Sequence, residues 1–280
     1  RVAVRINPDV EVKTHKFITT GKITNKFGID LNSAYRILLL RNKFKNVRIC
    51  GLHIHIGSQI TQSAPFVAAI KKVSGFINKL KIKGIKLEYL NIGGGLGIIY
   101  DDENPQTARI YANQVIPLLK KTGLKIIMEP GRFIVGNAGI LVTKVLYIKN
   151  TPKKKFIIVD AGMNDLIRPA LYGAFHQVVP LRAKELKNSC LSGRQARTQE
   201  RVDIVGPICE SADFFAKERK LPALKEGDYL AVMGAGAYAF SMSSNYNSRL
   251  RAAEVMVIGN KISVIRKREN FNDLIRNEKA

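Results

Sequence analysis

The chain has 280 residues, 46% of them hydrophobic, with 46 Lys and Arg against 22 Asp and Glu, for a net charge of +24. That length supports a large core and leaves room for two domains, while three cysteines (Cys50, Cys190 and Cys209) exclude a disulfide framework and point to a cytoplasmic protein. No apolar run is long enough to cross a bilayer, and the basic residues are scattered singly or in short runs such as Lys153-Lys154-Lys155, which reads as solvated faces with no specific nucleic-acid surface.

Val2 to Ile6, ended by Asn7-Pro8-Asp9, reads as a strand and turn. A chain that opens inside a strand, without Met, is expected to lack an N-terminal portion. Residues 11–30 read as a polar, basic loop, after which Asp30 or Asn32 caps a helix over 33–41. Val47 to Ile56 is a predicted strand that puts His53 and His55 on one side and ends at Gly57-Ser58-Gln59. Phe66, Ala69, Ile70, Val73, Ile77 and Leu80 have helical spacing within 65–80. Leu87 to Ile92 is a strand ended by Gly93-Gly94-Gly95-Leu96-Gly97, and Thr107 to Thr122 is a helix stopped by Gly123. The apolar run Lys125 to Met128, leading into Glu129-Pro130-Gly131-Arg132, predicts a short buried strand. Residues 1–136 therefore alternate strand and helix as (β/α) units on a parallel sheet, with four strands, half of an eight-stranded TIM-like barrel.

From residue 137 the pattern changes. Leu141 to Ile148, Phe156 to Val159, Val202 to Val205, Tyr229 to Met233, Ala253 to Ile258 and Ile262 to Ile265 are short apolar runs between turn signals. They predict a mostly antiparallel β-sandwich or barrel over 137–280. Residues 183–200 read as a surface loop, 213–219 as a helical turn or two, and 270–280 as a charged helix or frayed end.

Several stretches carry residues suited to chemistry. Glu129 and Arg132 sit together at a strand's C-terminal end, where parallel α/β folds build sites. A carboxylate there can keep a heteroaromatic nitrogen protonated, and an Arg can hold a phosphate or carboxylate; the plainer alternative is a surface ion pair. The Gly93–Gly95 turn can close backbone N–H groups on a phosphate, or be only a tight turn, and it is neither a Walker loop nor a dinucleotide fingerprint. Cys209 beside Glu210 on the Gly206–Ser211 loop is a candidate proton donor, although a free Cys is more often inert, as Cys50 and Cys190 are read. The Asp160–Tyr172 loop carries Arg168 and Tyr172, and Gly234–Gly236 precedes Tyr238. No spacing matches a zinc site.

Taken in order, His55-Ile56-Gly57-Ser58-Gln59, Gly93–Gly97, Glu129–Arg132, the Asp160–Tyr172 loop, Gly206–Ser211 and Gly236-Ala237-Tyr238 resemble the motifs of diaminopimelate decarboxylases, pyridoxal-phosphate enzymes of the fold-type III group. The resemblance runs from Arg5-Ile6-Asn7-Pro8 to Asn245-Tyr246-Asn247 and beyond. It implies decarboxylation of meso-2,6-diaminopimelate to L-lysine and CO₂, the last step of lysine synthesis. It also implies that His55 stacks on the pyridine ring, that Ser58 lies near the phosphate, and that Glu129 pairs with the ring nitrogen. Gly93, Gly94, Gly95, the backbone of Pro130, Gly131 and Arg132, and Tyr238 would hold the phosphate. Arg132, Arg168, Tyr172, Tyr238 and Glu210 would bind substrate, and Cys209 would return the proton. In the family Cys209 and Glu210 reach the partner subunit's cofactor, which implies a homodimer with shared sites.

The chain departs from the pattern in three places. No segment matches the family's Schiff-base lysine, and Lys13, Lys16, Lys22 and Lys26 sit in the wrong context to replace it, so the isolated 280 residues are expected to be inactive. Leu250 and Ala252 stand where the family usually has prolines, and Ala212 replaces a glycine. The alternatives are a decarboxylase of ornithine, arginine or carboxynorspermidine, a non-catalytic homologue, or a polyanion binder.

Overall fold

The computed structural model describes residues 1–10, 26–181 and 199–279, arranged as two units, Arg1–Val135 and Gly136–Ala280. Most of the predicted 11–30 loop, with Lys13, Lys16 and Lys22, lies outside the described residues, as does Cys190 with most of the 183–200 loop.

In the first unit four strands, β1 (Val2–Arg5), β2 (Ile49–His53), β3 (Tyr89–Asn91) and β4 (Lys125–Ile127), form one sheet in sequential order with every pair parallel. Helices α1 (Leu31–Leu39), α2 (Ala64–Ile82) and α3 (Ala108–Lys120) make the crossovers, and the short α4 (Gly131–Val135) follows β4. Asp30 caps α1 by accepting the Asn32 and Ser33 N–H groups at 2.8 and 2.9 Å, and Thr107 caps α3 through the Ile110 N–H. The helically spaced apolar residues of α2 are buried against Leu52, Ile54 and Leu90 of the sheet. This supplies the unit's core.

Two expectations for this unit change. The Val47–Ile56 strand is shorter, so His55 lies in the loop after β2 and does not alternate with His53 on a strand. Among the described residues the last backbone bond from the β1 side is Ile6 N–H to His53 O, and beyond it β2 has no ladder partner on that side. The predicted burial of β4 is also wrong. Ile126, Ile127 and Met128 are 36%, 43% and 41% exposed, because β4 is the last strand of the sheet and pairs with β3 alone. Ile126 and Met128, with Phe133 and Ile134 of α4 and Tyr111 and Val115 of α3, line an apolar groove of about 500 Å³.

The second unit is built on a six-stranded sheet in the order β7-β10-β5-β6-β8-β9. Its strands are β5 (Leu141–Asn150), β6 (Lys155–Val159), β7 (Val178–Leu181), β8 (Gln199–Val205), β9 (Phe214–Pro222) and β10 (Tyr229–Val232), with α5 (Arg168–Tyr172) between β6 and β7. All neighbours are antiparallel except β6 and β8, which are parallel. Among the described residues this sheet is open from β7 to β9, and β11 (Glu254–Ile258) and β12 (Lys261–Arg266) form a separate hairpin before α6 (Phe271–Ile275). The helical turn predicted at 213–219 is the strand β9. Pairing with β8 and burial of Phe215, Ala216 and Leu221 outweigh the helix-forming Ala-Lys-Glu-Arg-Lys run.

Candidate active site

Four strand positions lie in register across the first sheet: Arg5 beside His53, His53 beside Asn91, Asn91 beside Ile127. The loops after these positions bring the first group of candidate residues together. Glu129 N–H donates to Gly93 O at 2.9 Å, Gly93 N–H donates to Asn91 Oδ1 at 2.8 Å, and Asn91 Nδ2 donates to Glu129 Oε1 at 2.6 Å. Asn91 thus joins the glycine turn to the carboxylate. Gly94 N–H donates to His55 Nδ1 at 3.2 Å, which assigns His55 the neutral form with its proton on Nε2. The Gly93 and Gly94 N–H groups are therefore engaged within the chain. The glycines are needed for close approach: a Cβ on Gly94 would lie 2.0 Å from the Glu129 carbonyl oxygen, and Gly93 holds φ +68°. The Glu129 side chain is 52% exposed and does not point into apolar packing. His53 Nε2 lies 3.8 Å from it, too long for a hydrogen bond, and is a buried nitrogen with no hydrogen-bond partner.

Arg132 turns inward from α4 and is 7% exposed. Its Nε and Nη2 reach Ser58 Oγ at 3.3 and 3.1 Å, and Nη1 donates to the Tyr100 hydroxyl at 2.7 Å. Ser58, Tyr100 and Arg132 form a second polar cluster of this unit.

Burial pushes both imidazoles down from their ordinary pKa of 6.5. For His55 the charges of Arg5 and His53 push the same way; Glu129 opposes the shift in both. The folded chain thus holds two neutral rings that the unfolded chain protonates below about pH 6.5, so their stabilisation is present above that pH and is lost as pH falls below it. Urea unfolding is expected to show lower stability at pH 5.5 than at pH 7.5. A midpoint unchanged between those pH values would contradict this. Asp165 and Asp213, whose carboxyls are raised by burial, act in the opposite sense, but in the carboxylate range.

In the second unit Arg168 opens α5 and is 7% exposed, and Tyr172 closes the helix before Gly173. Cys209 is a free, exposed thiol, beside an exposed Glu210 whose Oε1 accepts the Ala212 N–H at 3.2 Å. The loop carrying them is held from below by Asp213, which is 3% exposed and accepts Ile208 N–H at 2.7 Å and Met163 N–H at 2.6 Å. Tyr238 is 41% exposed, at φ +61°.

A family described as pyridoxal-dependent decarboxylase, pyridoxal binding domain, matches residues 1–136. A diaminopimelate decarboxylase of Aquifex aeolicus is 47% identical over 98% of this chain and 63% of its own length. The crystal structure of diaminopimelate decarboxylase from Helicobacter pylori complexed with L-lysine superimposes with a TM-score of 0.90 at 40% identity, over 99% of this chain and 66% of that one. A further crystal structure of diaminopimelate decarboxylase matches at 32% identity and a TM-score of 0.86, with 99% of this chain and 67% of the other covered. The chain belongs to the diaminopimelate decarboxylase family. It spans about 63% of the length of the A. aeolicus relative.

The first unit fits the cofactor that the description of this pyridoxal-dependent family implies. An accessible carboxylate is fixed by Asn91 beside a glycine turn, and the unpartnered His53 Nε2 lies next to it. The sequence motifs do not single out Asn91, Tyr100, Asp213 or His176. Asn91 had a readable signal, an Asx residue two before a glycine. The others bond to residues 32, 50 and 57 positions away, which no local spacing announces.

Proposed function

We propose that this chain is the part of a cytoplasmic pyridoxal-phosphate decarboxylase that comprises half of a (β/α)₈ barrel (residues 1–136) and a β domain (137–280), and that the enzyme converts meso-2,6-diaminopimelate to L-lysine and CO₂. The observation that carries the reading is the Glu129 carboxylate tied through Asn91 to the Gly93 turn. Pyridoxal phosphate, when bound, supplies an electron sink for the carbanion left as CO₂ departs. Glu129 is the carboxylate that would accept from a ring nitrogen and keep it protonated, and Asn91 orients it. His55, neutral and held through Nδ1, presents a flat apolar face for ring stacking. Ser58, the Gly93–Gly95 turn, the Pro130–Arg132 segment and Tyr238 hold the phosphate, the turn through its Gly95 N–H, because the Gly93 and Gly94 N–H groups bond Asn91 and His55. Arg132, Arg168, Tyr172, Tyr238 and Glu210 take the amino-acid end of the substrate, where both a cation and an anion are needed. Cys209 returns the proton, and the family resemblance supports a homodimer.

Equilibrium binding tests this reading. Pyridoxal phosphate added to the chain is expected to bind, and Glu129→Ala to weaken binding about tenfold, a loss of about 1.4 kcal/mol. Wild-type and Glu129→Ala chains with the same affinity would remove the role of Glu129. With the cofactor bound, meso-diaminopimelate is expected to bind more tightly than ornithine or arginine, and the reverse order would favour another decarboxylase.

A further inference from the structure

We propose that His176 is a positioning residue, a neutral imidazole that fixes the plane of the Arg168 guanidinium. The proposal rests on the reading of Arg168 as the cation that takes a substrate carboxylate. His176 is fully buried, at 0% exposure. Its Nδ1 lies 2.8 Å from the Met233 carbonyl oxygen, and its Nε2 lies 2.7 Å from Arg168 Nη1. A carbonyl oxygen only accepts and a guanidinium only donates. One assignment satisfies both partners: Nδ1–H donates to Met233 O, and the Nε2 lone pair accepts from Arg168. A doubly protonated ring would set N–H against N–H and cation against cation, so the geometry selects the neutral ring.

The ring is held from the main chain as well. Met233 N–H donates to Gln177 O at 2.8 Å, which extends the β7–β10 pairing to the residue next to His176. His176 O accepts from Arg219 Nη1 at 3.1 Å, and the Arg219 guanidinium sits 3.7 Å from the centre of the Phe175 ring. Arg168 itself is anchored at the start of α5, whose end is capped by Gly173 at φ +61°. A guanidinium is a rigid planar fork, so one in-plane bond to a fixed acceptor sets the direction of the whole group. A carboxylate then meets donors already ordered, and the entropy of ordering them is not lost on binding.

Two measurements test this on the 280-residue chain. Side-chain ¹⁵N NMR is expected to show His176 as a single tautomer protonated at Nδ1, with slow rotation of the Arg168 guanidinium. His176→Leu is expected to speed that rotation about tenfold, and His176→Gln, whose amide offers both an acceptor and a donor, to restore part of it. A tautomer protonated at Nε2, or rotation unchanged in His176→Leu, overturns the proposal. The tautomer needs no variant, so it decides even if His176→Leu does not fold. Calorimetric titration of L-lysine into the pyridoxal-phosphate-loaded chain then separates the proposal from the reading beneath it. Arg168→Ala and His176→Leu are both expected to weaken L-lysine binding about tenfold while the affinity for pyridoxal phosphate holds. If Arg168→Ala weakens it and His176→Leu does not, positioning by His176 is refuted and the Arg168 reading stands. If neither does, yet rotation responds to His176, the substrate role of Arg168 is refuted and the His176–Arg168 coupling stands.

Discussion

Gly94→Ala is expected to cost the first unit about 3 kcal/mol or more and to weaken pyridoxal phosphate binding with it. The added methyl would fall 2.0 Å from the Glu129 carbonyl oxygen and 2.9 Å from its carbon, both of them backbone atoms that cannot swing aside. Relief requires the β4–α4 turn to move by more than an ångström. That movement strains the Glu129 N–H to Gly93 O bond, the Asn91–Glu129 bond and the Gly94 N–H to His55 bond together. Two controls separate crowding from conformation. Gly131→Ala meets nothing within 4 Å and carries no positive φ, so its stability should be unchanged within about 0.5 kcal/mol. Gly84→Ala also meets nothing within 4 Å but sits at φ +69°, so it should lose only the left-handed penalty, about 1 kcal/mol. Chemical denaturation reads all three, and a Gly94→Ala chain as stable as Gly131→Ala would show that the turn is not packed as described.

The second large effect is expected at Asp213. Its carboxylate accepts the Met163 and Ile208 N–H groups and so ties the Asp160–Arg168 segment to the loop bearing Cys209. Gly206 shows how tight the arrangement is, since a Cβ there would lie 2.3 Å from Asp213 Oδ2. Asp213→Ala removes two charge-assisted bonds and leaves two backbone donors without their acceptor, a loss of about 3 kcal/mol. For a unit of this size that lowers the melting temperature by roughly 10 °C. Asp213→Asn keeps one acceptor oxygen but turns an NH₂ toward the other donor, and should fall between. The thiol of Cys209 is exposed in the folded chain, so its rate of alkylation reports the loop. That rate should change in both variants. A melting temperature within about 2 °C of the parent for Asp213→Ala would show that the clamp contributes little.

Much of the architecture was legible in the residues, for identifiable reasons. The Asp30 cap, the apolar spacing of α2, and the turn residues after each strand are local signals, and the structure uses each of them. Where local and long-range forces disagreed, the local reading failed. Phe214–Pro222 contains good helix formers, yet β8 offers it a ladder and Phe215 a buried place. β7 went unrecognised because it is four residues long and contains Pro180, which a sheet tolerates only at an edge. The apolar Ile126-Ile127-Met128 run reads as buried from composition, but burial depends on what lies on its far side, and composition does not report that. The candidate site divides the same way. Glycine turns, the strand-end carboxylate and the Cys-Glu pair are visible as short motifs. Asn91 is marked locally by its place two before a glycine, but its bond to Glu129, like those of Asp213 to Met163 and His176 to Met233, joins groups remote in sequence, which the folded chain identifies.

The bare apolar side of β4, with Phe133 and Ile134 next to it, bears on how the chain behaves in a test tube. Such a surface draws copies together through both its oily side chains and its unpaired strand backbone. A net charge of +24 opposes that approach from a distance. The two tendencies differ in their response to ions: at about 1 M salt the repulsion reaches only about 3 Å, while the oily contact is undiminished. Dilute buffers should therefore keep this polypeptide dispersed, and brine should gather it.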